Sequence, residues 1–235
     1  MRIIMALNAK GGSGKTTLAT NLASYYATQG KAVVLADFDP QASSINWLKA
    51  RPEDRPPIQG IAAWDEPLRV PRSTDYVIID APSGHYGKRL VSLMRYAQTI
   101  VMPVLPSPLD IRAAATFIQE IKHVGKMSSR NILDTSVSAL LKSIFSSGTA
   151  ISKARLGVVA NRVRESTVAY DNLYEFLDRL KVPFLTTLRD TQNYIQAAER
   201  GLGLFELAPS QVAHDTEQWQ PLIKWLNSKR SLPVH

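Results

Sequence analysis

The hydrophobic and polar positions of the chain alternate in blocks of two kinds. Short apolar runs, which suit buried parallel strands, recur before longer segments with apolar residues at helical spacing. This alternation predicts an α/β fold in which a doubly wound, mostly parallel sheet is flanked by helices. The predicted strands cover residues 2–7, 31–36, 58–62, 76–80, 99–106, 155–163 and 182–185, and the main predicted helices cover 18–29, 40–48, 107–125, 168–180 and 211–228.

The first predicted strand leads into a glycine-rich turn that reads A-K-G-G-S-G-K-T-T. Gly11, Gly12 and Gly14 permit backbone angles and close approaches that a Cβ would forbid. Consecutive N–H groups can therefore surround a polyphosphate at the start of the following helix. In such a loop Lys15 reaches the β- and γ-phosphates, and the Thr16 hydroxyl coordinates Mg²⁺. The predicted nucleotide-binding residues here are Gly11, Gly12, Ser13, Gly14, Lys15, Thr16 and Thr17, whereas Lys10 by itself is a solvated lysine beside an anion site.

Polar residues also follow three later strands. Asp37 and Asp39 come after the second strand, and Asp80 ends the apolar run at 76–80, as a Walker B aspartate beside Mg²⁺ would. Asp39 has an alternative interpretation as the N-cap of the next helix, and both roles can hold. Asn161 ends a further strand, where its amide suits the edge of adenine, although a turn-forming asparagine has the same pattern.

Composition narrows the class of protein. A chain of 235 residues with 45% hydrophobic content suits one domain, residues 1–235, and the absence of cysteine excludes disulfides, thiolate zinc sites and iron–sulfur clusters. No apolar run reaches the roughly 18 residues of a membrane span, and a strand starts at once, so we expect a cytoplasmic protein. The net charge of +8 favours a polyanionic partner, with an inert basic surface as the alternative. A serine-rich segment, residues 127–153, is a candidate insertion that contacts a partner.

One departure from the general phosphate-loop pattern is informative. Ala9 replaces a glycine and is followed by Lys10, so that K-G-G-S-G-K-T resembles the deviant Walker A motif of the ParA/MinD family of ATPases. The segments D-F-D-P-Q at 37–41 and A-P-S-G at 81–84 resemble the two switches of that family. The resemblance implies that Lys10 crosses a dimer interface to the partner's phosphates, that Asp39 positions the attacking water and the Mg²⁺ shell, and that Asn161 contacts adenine. The helix that opens with S-P-L-D at 107–110 lies near this interface in the family.

The resemblance further implies an ATPase of the small ParA type that uses ATP and Mg²⁺ and forms an ATP-sandwich homodimer. Such a protein binds nucleoid DNA without sequence preference and positions a plasmid, a chromosome region or an organelle such as the carboxysome. A cargo-linked partner stimulates hydrolysis. A MinD-like membrane cycle and a biosynthetic phosphate-loop ligase are the alternatives; we expect the last helix to pack on the protein body instead of on a membrane. The candidate DNA contacts are Arg189, Arg200, Lys224, Lys229 and Arg230.

Overall fold

The computed structural model describes residues 1–130, 154–164, 175 and 182–233. Its strands form one seven-stranded sheet in the order β3-β2-β4-β1-β5-β6-β7, and every pair of neighbours is parallel. The predicted doubly wound α/β fold is confirmed. The strands are β1 (Arg2–Ala6), β2 (Val33–Asp37), β3 (Ile58–Ala62), β4 (Tyr76–Asp80), β5 (Thr99–Val104), β6 (Arg155–Val163) and β7 (Phe184–Arg189).

Six α-helices flank the sheet within the described ranges, and two 3₁₀ turns follow the last strand. The helices are α1 (Lys15–Thr28), α2 (Ser43–Lys49), α3 (Gly87–Met94), α4 (Pro108–Arg130), α5 (Gln192–Glu199) and α6 (Pro209–Leu226). The 3₁₀ turns are Leu204–Glu206 and Lys229–Ser231.

The sheet is buried on both faces. Successive strand residues point to opposite sides, so each strand contributes side chains to two apolar clusters. On one face Met5 belongs to a cluster that includes Phe117 of α4. On the other face Ile4 belongs to a cluster with Leu22 of α1 and Trp219 of α6. Both clusters run across the whole width of the sheet, so the central strands are near-continuous apolar runs, as in the sequence prediction.

The strand register brings the functional loops to one edge. Ala6 of β1 and Asp37 of β2 both lie opposite Asp80 of β4, so these three strands end at the same level. The loops that follow them therefore start side by side at the carboxyl edge of the sheet. The predicted motifs at 10–17, 37–41 and 80–84 share this edge.

Several predicted boundaries were wrong for identifiable reasons. α2 starts at Ser43 instead of residue 40, because the chain first turns through Ala42, whose φ is 57°. β7 runs to Arg189, beyond the predicted 182–185, because Thr186 and Thr187 interrupt the apolar run without ending the strand. α3 was not predicted; it is only eight residues long, and it starts at Gly87, the second of two glycines with positive φ. The predicted helix at 168–180, apart from residue 175, and most of the predicted insertion at 127–153 lie outside the described residues.

The last long helix packs on the protein body, which confirms the prediction for it. Its apolar face is buried against the sheet and α1, and none of the helices in the described ranges has the length and hydropathy of a membrane crossing. The buried residues of that face are Val212, Trp219, Leu222, Ile223 and Leu226.

Candidate functional site

The loop between β1 and α1 has the backbone shape of a phosphate cradle. Gly12 and Gly14 have φ values of 74° and 99°, in the left-handed region that favours glycine. A Cβ on Gly14 would also lie 2.1 Å from the amide nitrogen of Asn161. α1 begins directly after Gly14, so its free N–H groups and partial positive charge point into the loop.

Polar contacts inside the protein hold this loop in place. The Asn8 side chain donates to the carbonyl of Pro103 in β5 at 2.7 Å and accepts from the Lys10 N–H at 3.0 Å. The buried Ser13 hydroxyl donates to the Lys10 carbonyl at 3.1 Å. Sequence reasoning missed Asn8, although its place between the strand and the glycine run was a usable signal.

Lys15 is buried beneath the loop with its ammonium group close to acidic residues. Its Nζ donates to the Lys10 carbonyl at 3.2 Å. Burial lowers the pKa of Lys15, while the charges of Asp80 and Asp39 act in the opposite direction. The side chain is therefore positioned under the cradle, and a bound phosphate would offer it a stronger, charged acceptor than the carbonyl.

Asp80 stands at the tip of β4 with almost no solvent contact. Burial raises its pKa to about 7, and the charges of Asp37 and Asp39 add to that rise. The nearby Thr16 hydroxyl and the Lys15 charge oppose it. Neither carboxylate oxygen has a hydrogen-bond partner among the described residues.

These features fit a magnesium ion. Mg²⁺ prefers oxygen ligands and commonly takes only one or two from the protein, with water and substrate phosphates completing the shell. Asp80 supplies unpartnered carboxylate oxygens next to the Thr16 hydroxyl, at the end of a loop shaped for phosphate. Asp39, the third predicted metal-site residue, is half-buried at the same edge.

The first switch is organised by Asp37, not by Asp39. The fully buried Asp37 carboxylate accepts hydrogen bonds from the backbone N–H groups of Asp39 at 2.9 Å, Ser44 at 3.0 Å and Ile45 at 3.3 Å. Asp39 accepts from the N–H of Gln41 at 3.0 Å, before α2 begins. The interpretation of Asp39 as the helix cap was therefore wrong. Asp37 satisfies the first turn of α2, and Asp39 lies near enough to Lys15 and Asp80 for its charge to act on both.

Lys10 extends from the loop toward α4. Its Nζ lies 2.6 Å from an Asp110 carboxylate oxygen, and the Lys10 side chain remains 42% exposed. Asp110 also bonds to the Ser107 hydroxyl, which in turn accepts from the Asp110 N–H at 3.2 Å. The Ser107 hydroxyl therefore caps the first turn of α4 and also donates to the Asp110 carboxylate. The S-P-L-D sequence carried that signal, but sequence reasoning gave Asp110 no role.

The Asn161 side chain lies inside the site, where its amide contacts the phosphate loop. Its Nδ2 donates to the Ser13 carbonyl at 2.9 Å, and the side chain is buried. The amide oxygen is therefore turned away from the Ser13 carbonyl. The predicted contact with adenine stays a prediction, and the structure adds a contact that holds the loop from the β6 side.

The second switch also packs on the loop, and a late segment braces α1 and α2. Gly84 donates its N–H to the Ala9 carbonyl at 2.8 Å. Farther from the site, the buried Glu206 accepts from both terminal nitrogens of Arg51 at 2.6 and 2.8 Å and from the Ser24 hydroxyl at 2.7 Å. The G-x-G-x-F-E stretch at 201–206 thus joins the helices that follow the phosphate loop and the first switch.

The candidate DNA contacts do not form one group. Arg189, at the carboxyl end of β7, is ion-paired with the fully buried Asp215. Lys229 and Arg230 lie on the 3₁₀ turn beside the amino ends of β1 and β5, because Ser231 of that turn bonds to Arg2 and Thr99. Five to six residues of strand separate these edges, which is about 17–20 Å. The DNA contacts remain predictions.

The described site defines a phosphate-loop nucleotide-binding protein of the doubly wound α/β class. Residues 4–205 match the model of the family described as "CobQ/CobB/MinD/ParA nucleotide binding domain". The chain belongs to this family, which confirms the resemblance to ParA and MinD proteins.

Individual relatives agree with this assignment. The chain is 27% identical over 207 residues to "Maintenance of carboxysome distribution protein A" of Halothiobacillus neapolitanus, with 85% of each protein covered. Its fold is similar to that of apo McdA from Cyanothece, with a TM-score of 0.68, 17% identity and coverage of 94% of this chain and 99% of that chain. MinD of Pyrococcus horikoshii, solved as a complex with Mg-ADP, has a TM-score of 0.64 and 18% identity, with 97% of this chain and 96% of that chain covered.

Proposed function

We propose that this protein is an ATPase that dimerises around ATP and Mg²⁺ and positions a cargo by cycling on nucleoid DNA. The observation that carries the proposal is the convergence on one sheet edge of the phosphate cradle, Asp80 with no partner among the described residues, and the half-exposed Lys10. The similarity to a carboxysome distribution protein extends over 85% of each of the two chains, and it favours a protein organelle as the cargo.

Phosphoryl transfer requires positioning and charge stabilisation more than covalent chemistry. The loop amides and the start of α1 bind the phosphate oxygens, and Lys15 moves its ammonium from the Lys10 carbonyl to the β- and γ-phosphates. Thr16, Asp80 and Asp39 would hold Mg²⁺, which when bound would supply positive charge to the phosphates. Asp39 orients the attacking water, since Asp37 fixes its backbone while its carboxylate stays accessible.

The dimer depends on Lys10. In the single chain its ammonium group pairs with Asp110 of the same subunit. When two nucleotide-loaded subunits meet face to face, each Lys10 exchanges this carboxylate for the phosphates of the partner subunit. Phosphates carry more negative charge than one carboxylate, so the exchange favours the ATP-bound dimer.

The dimer binds DNA through lysine and arginine contacts to phosphate, and a cargo-linked partner stimulates hydrolysis and releases the protein from the nucleoid. A membrane cycle is less well supported, because the apolar face of α6 is already buried in the body of the protein.

Turnover assays with matched variants test the chemistry. We expect Lys15→Ala to abolish ATP binding, and Asp39→Ala to bind ATP and dimerise but hydrolyse it slowly. Binding of labelled ATP and phosphate release are the measurements. Wild-type turnover by the Asp39 variant would remove that residue from the mechanism, and no phosphate release by the wild-type protein with DNA and Mg²⁺ present would contradict the proposed activity.

A further inference from the structure

A group of exposed cations lies at the amino edge of the sheet, opposite the nucleotide site. We call it the amino-edge cluster. Its members lie at or just before the amino ends of strands, or in the 3₁₀ turn that packs beside them. Lys31 precedes β2, Arg72 lies in the turn before β4, and Arg155 is the first residue of β6. Lys229 and Arg230 form the 3₁₀ turn after α6, and all five side chains are exposed.

The 3₁₀ turn is fixed to the sheet by buried hydrogen bonds. Arg2 donates to the Ser231 hydroxyl at 2.8 Å and to the Leu226 carbonyl at 3.0 Å, and the Thr99 hydroxyl donates to the Ser231 carbonyl at 2.6 Å. Ser231 is fully buried. Arg155 joins this arrangement, since its Nε donates to the Leu232 carbonyl at 3.2 Å. The backbone of the turn is therefore pre-organised while its two cations face solvent.

The cations of the cluster have no acidic partner among the described residues. All ion pairs among the described residues involve cations outside the cluster. At the carboxyl edge, for example, Lys10, Arg164 and Arg189 are each paired with an aspartate. Among the acidic residues near this edge, Asp75 accepts a hydrogen bond from the N–H of Ala32 at 3.0 Å, and Asp54, before β3, lies 3.6 Å from Arg55. None of the five cations of the cluster is therefore neutralised by an ion pair within the described residues.

We propose that the amino-edge cluster binds the phosphate backbone of duplex DNA. Several unpaired cations on a fixed backbone fit a polyanion with regularly spaced charges. A membrane surface fits less well, because Met1 is the large apolar residue exposed close to the cluster and the apolar face of α6 is buried. The inference rests on the proposed DNA cycle and names the surface that performs it.

The proposal separates DNA binding from the nucleotide site. The cluster lies about 17–20 Å of strand length away from the phosphate loop, so DNA and nucleotide do not compete for the same residues. Arg189 is excluded from the DNA surface, because it pairs with the buried Asp215 at the other edge.

The test is DNA binding by the Lys229→Ala/Arg230→Ala double variant, measured by fluorescence anisotropy of a labelled random-sequence duplex with Mg-ATP. Affinity for DNA falls with salt, and each lost phosphate contact makes the slope of log affinity against log salt less steep by about 0.9. The loss of two contacts therefore lowers the affinity for DNA about 60-fold at 0.1 M salt. Lys229→Arg/Arg230→Lys should bind like the wild type. Arg164→Ala removes an exposed cation at the other edge and serves as the matched control.

Wild-type affinity and salt slope in the double alanine variant would overturn the proposal, as would wild-type binding to anionic phosphatidylserine vesicles but not to DNA. ATP turnover and ATP-dependent dimerisation of the same preparations report separately on the proposed function. Normal values for both, together with DNA binding that the double variant does not change, would reject the DNA surface alone. If the wild-type protein showed neither ATP turnover nor ATP-dependent dimerisation, the proposed cycle itself would be rejected.

Discussion

Replacing Asp80 by asparagine should change how the stability of the nucleotide-free protein depends on pH. Burial raises the pKa of Asp80 from 3.8 to about 7 in the folded chain. Between these values the folded state keeps a proton that the unfolded state releases, so the wild-type protein loses stability as the pH rises. Asparagine has a similar shape and does not titrate.

The size of the effect follows from the two pKa values. Between pH 5 and pH 8 the raised pKa removes about 3 kcal/mol of wild-type stability, since each unit of pKa difference corresponds to about 1.4 kcal/mol. The stability of Asp80→Asn relative to the wild type should therefore be about 3 kcal/mol greater at pH 8 than at pH 5. Any effect of the shape of the substituted side chain is the same at both pH values, so it cancels in this difference.

Urea denaturation at both pH values, without nucleotide or Mg²⁺, measures these differences. A parallel series with Mg-ATP should narrow the gap at pH 8, because the wild-type carboxylate then has a cation and the asparagine variant binds it less well. The same stability difference at pH 5 and pH 8 would refute the conclusion that Asp80 is an unpartnered, buried carboxylate.

Three further substitutions test other contacts. Arg51→Met leaves the Glu206 carboxylate buried without its cation and should lower the free energy of unfolding by about 3–5 kcal/mol in urea titrations; an unchanged midpoint would contradict this. Asp37→Ala leaves three backbone N–H groups without their acceptor and should cost about 2–3 kcal/mol, with faster hydrogen exchange at Ser44 than in the wild type. Asp110→Asn frees the half-exposed Lys10 and should tighten the ATP-dependent dimer about two- to fivefold by sedimentation; weaker dimerisation would show that the pair holds Lys10 in its productive position.

Much of the fold follows from local sequence patterns. The buried strands are apolar on both faces, so their runs were visible without knowledge of tertiary contacts, and β4 was predicted with its observed bounds. Glycine at positions 12 and 14 is explained by the positive φ values observed there. These features depend on the residues themselves and on their immediate neighbours.

Other features depend on contacts that are distant in sequence. Asn8 bonds to Pro103, Glu206 bonds to Arg51, and Asp110 pairs with Lys10 about a hundred residues away. Nothing near these residues identifies the bonding partner, so sequence reasoning gave no role to Asn8, Glu206 or Asp110. The two aspartates of the first switch illustrate the same limit. The sequence offered Asp39 as an alternative cap for the next helix, whereas in the structure the Asp37 carboxylate accepts from the first turn of α2.

The central claim is that ATP joins two subunits through Lys10. Sedimentation velocity of the wild-type protein and of Lys10→Ala, each with Mg-ATP and with Mg-ADP, tests it most directly, with labelled-ATP binding measured on the same samples. We predict a wild-type dimer with ATP alone, and a Lys10→Ala protein that binds ATP yet stays monomeric. A Lys10→Ala dimer as stable as the wild-type dimer, or a wild-type protein that remains monomeric when saturated with ATP, would contradict the account.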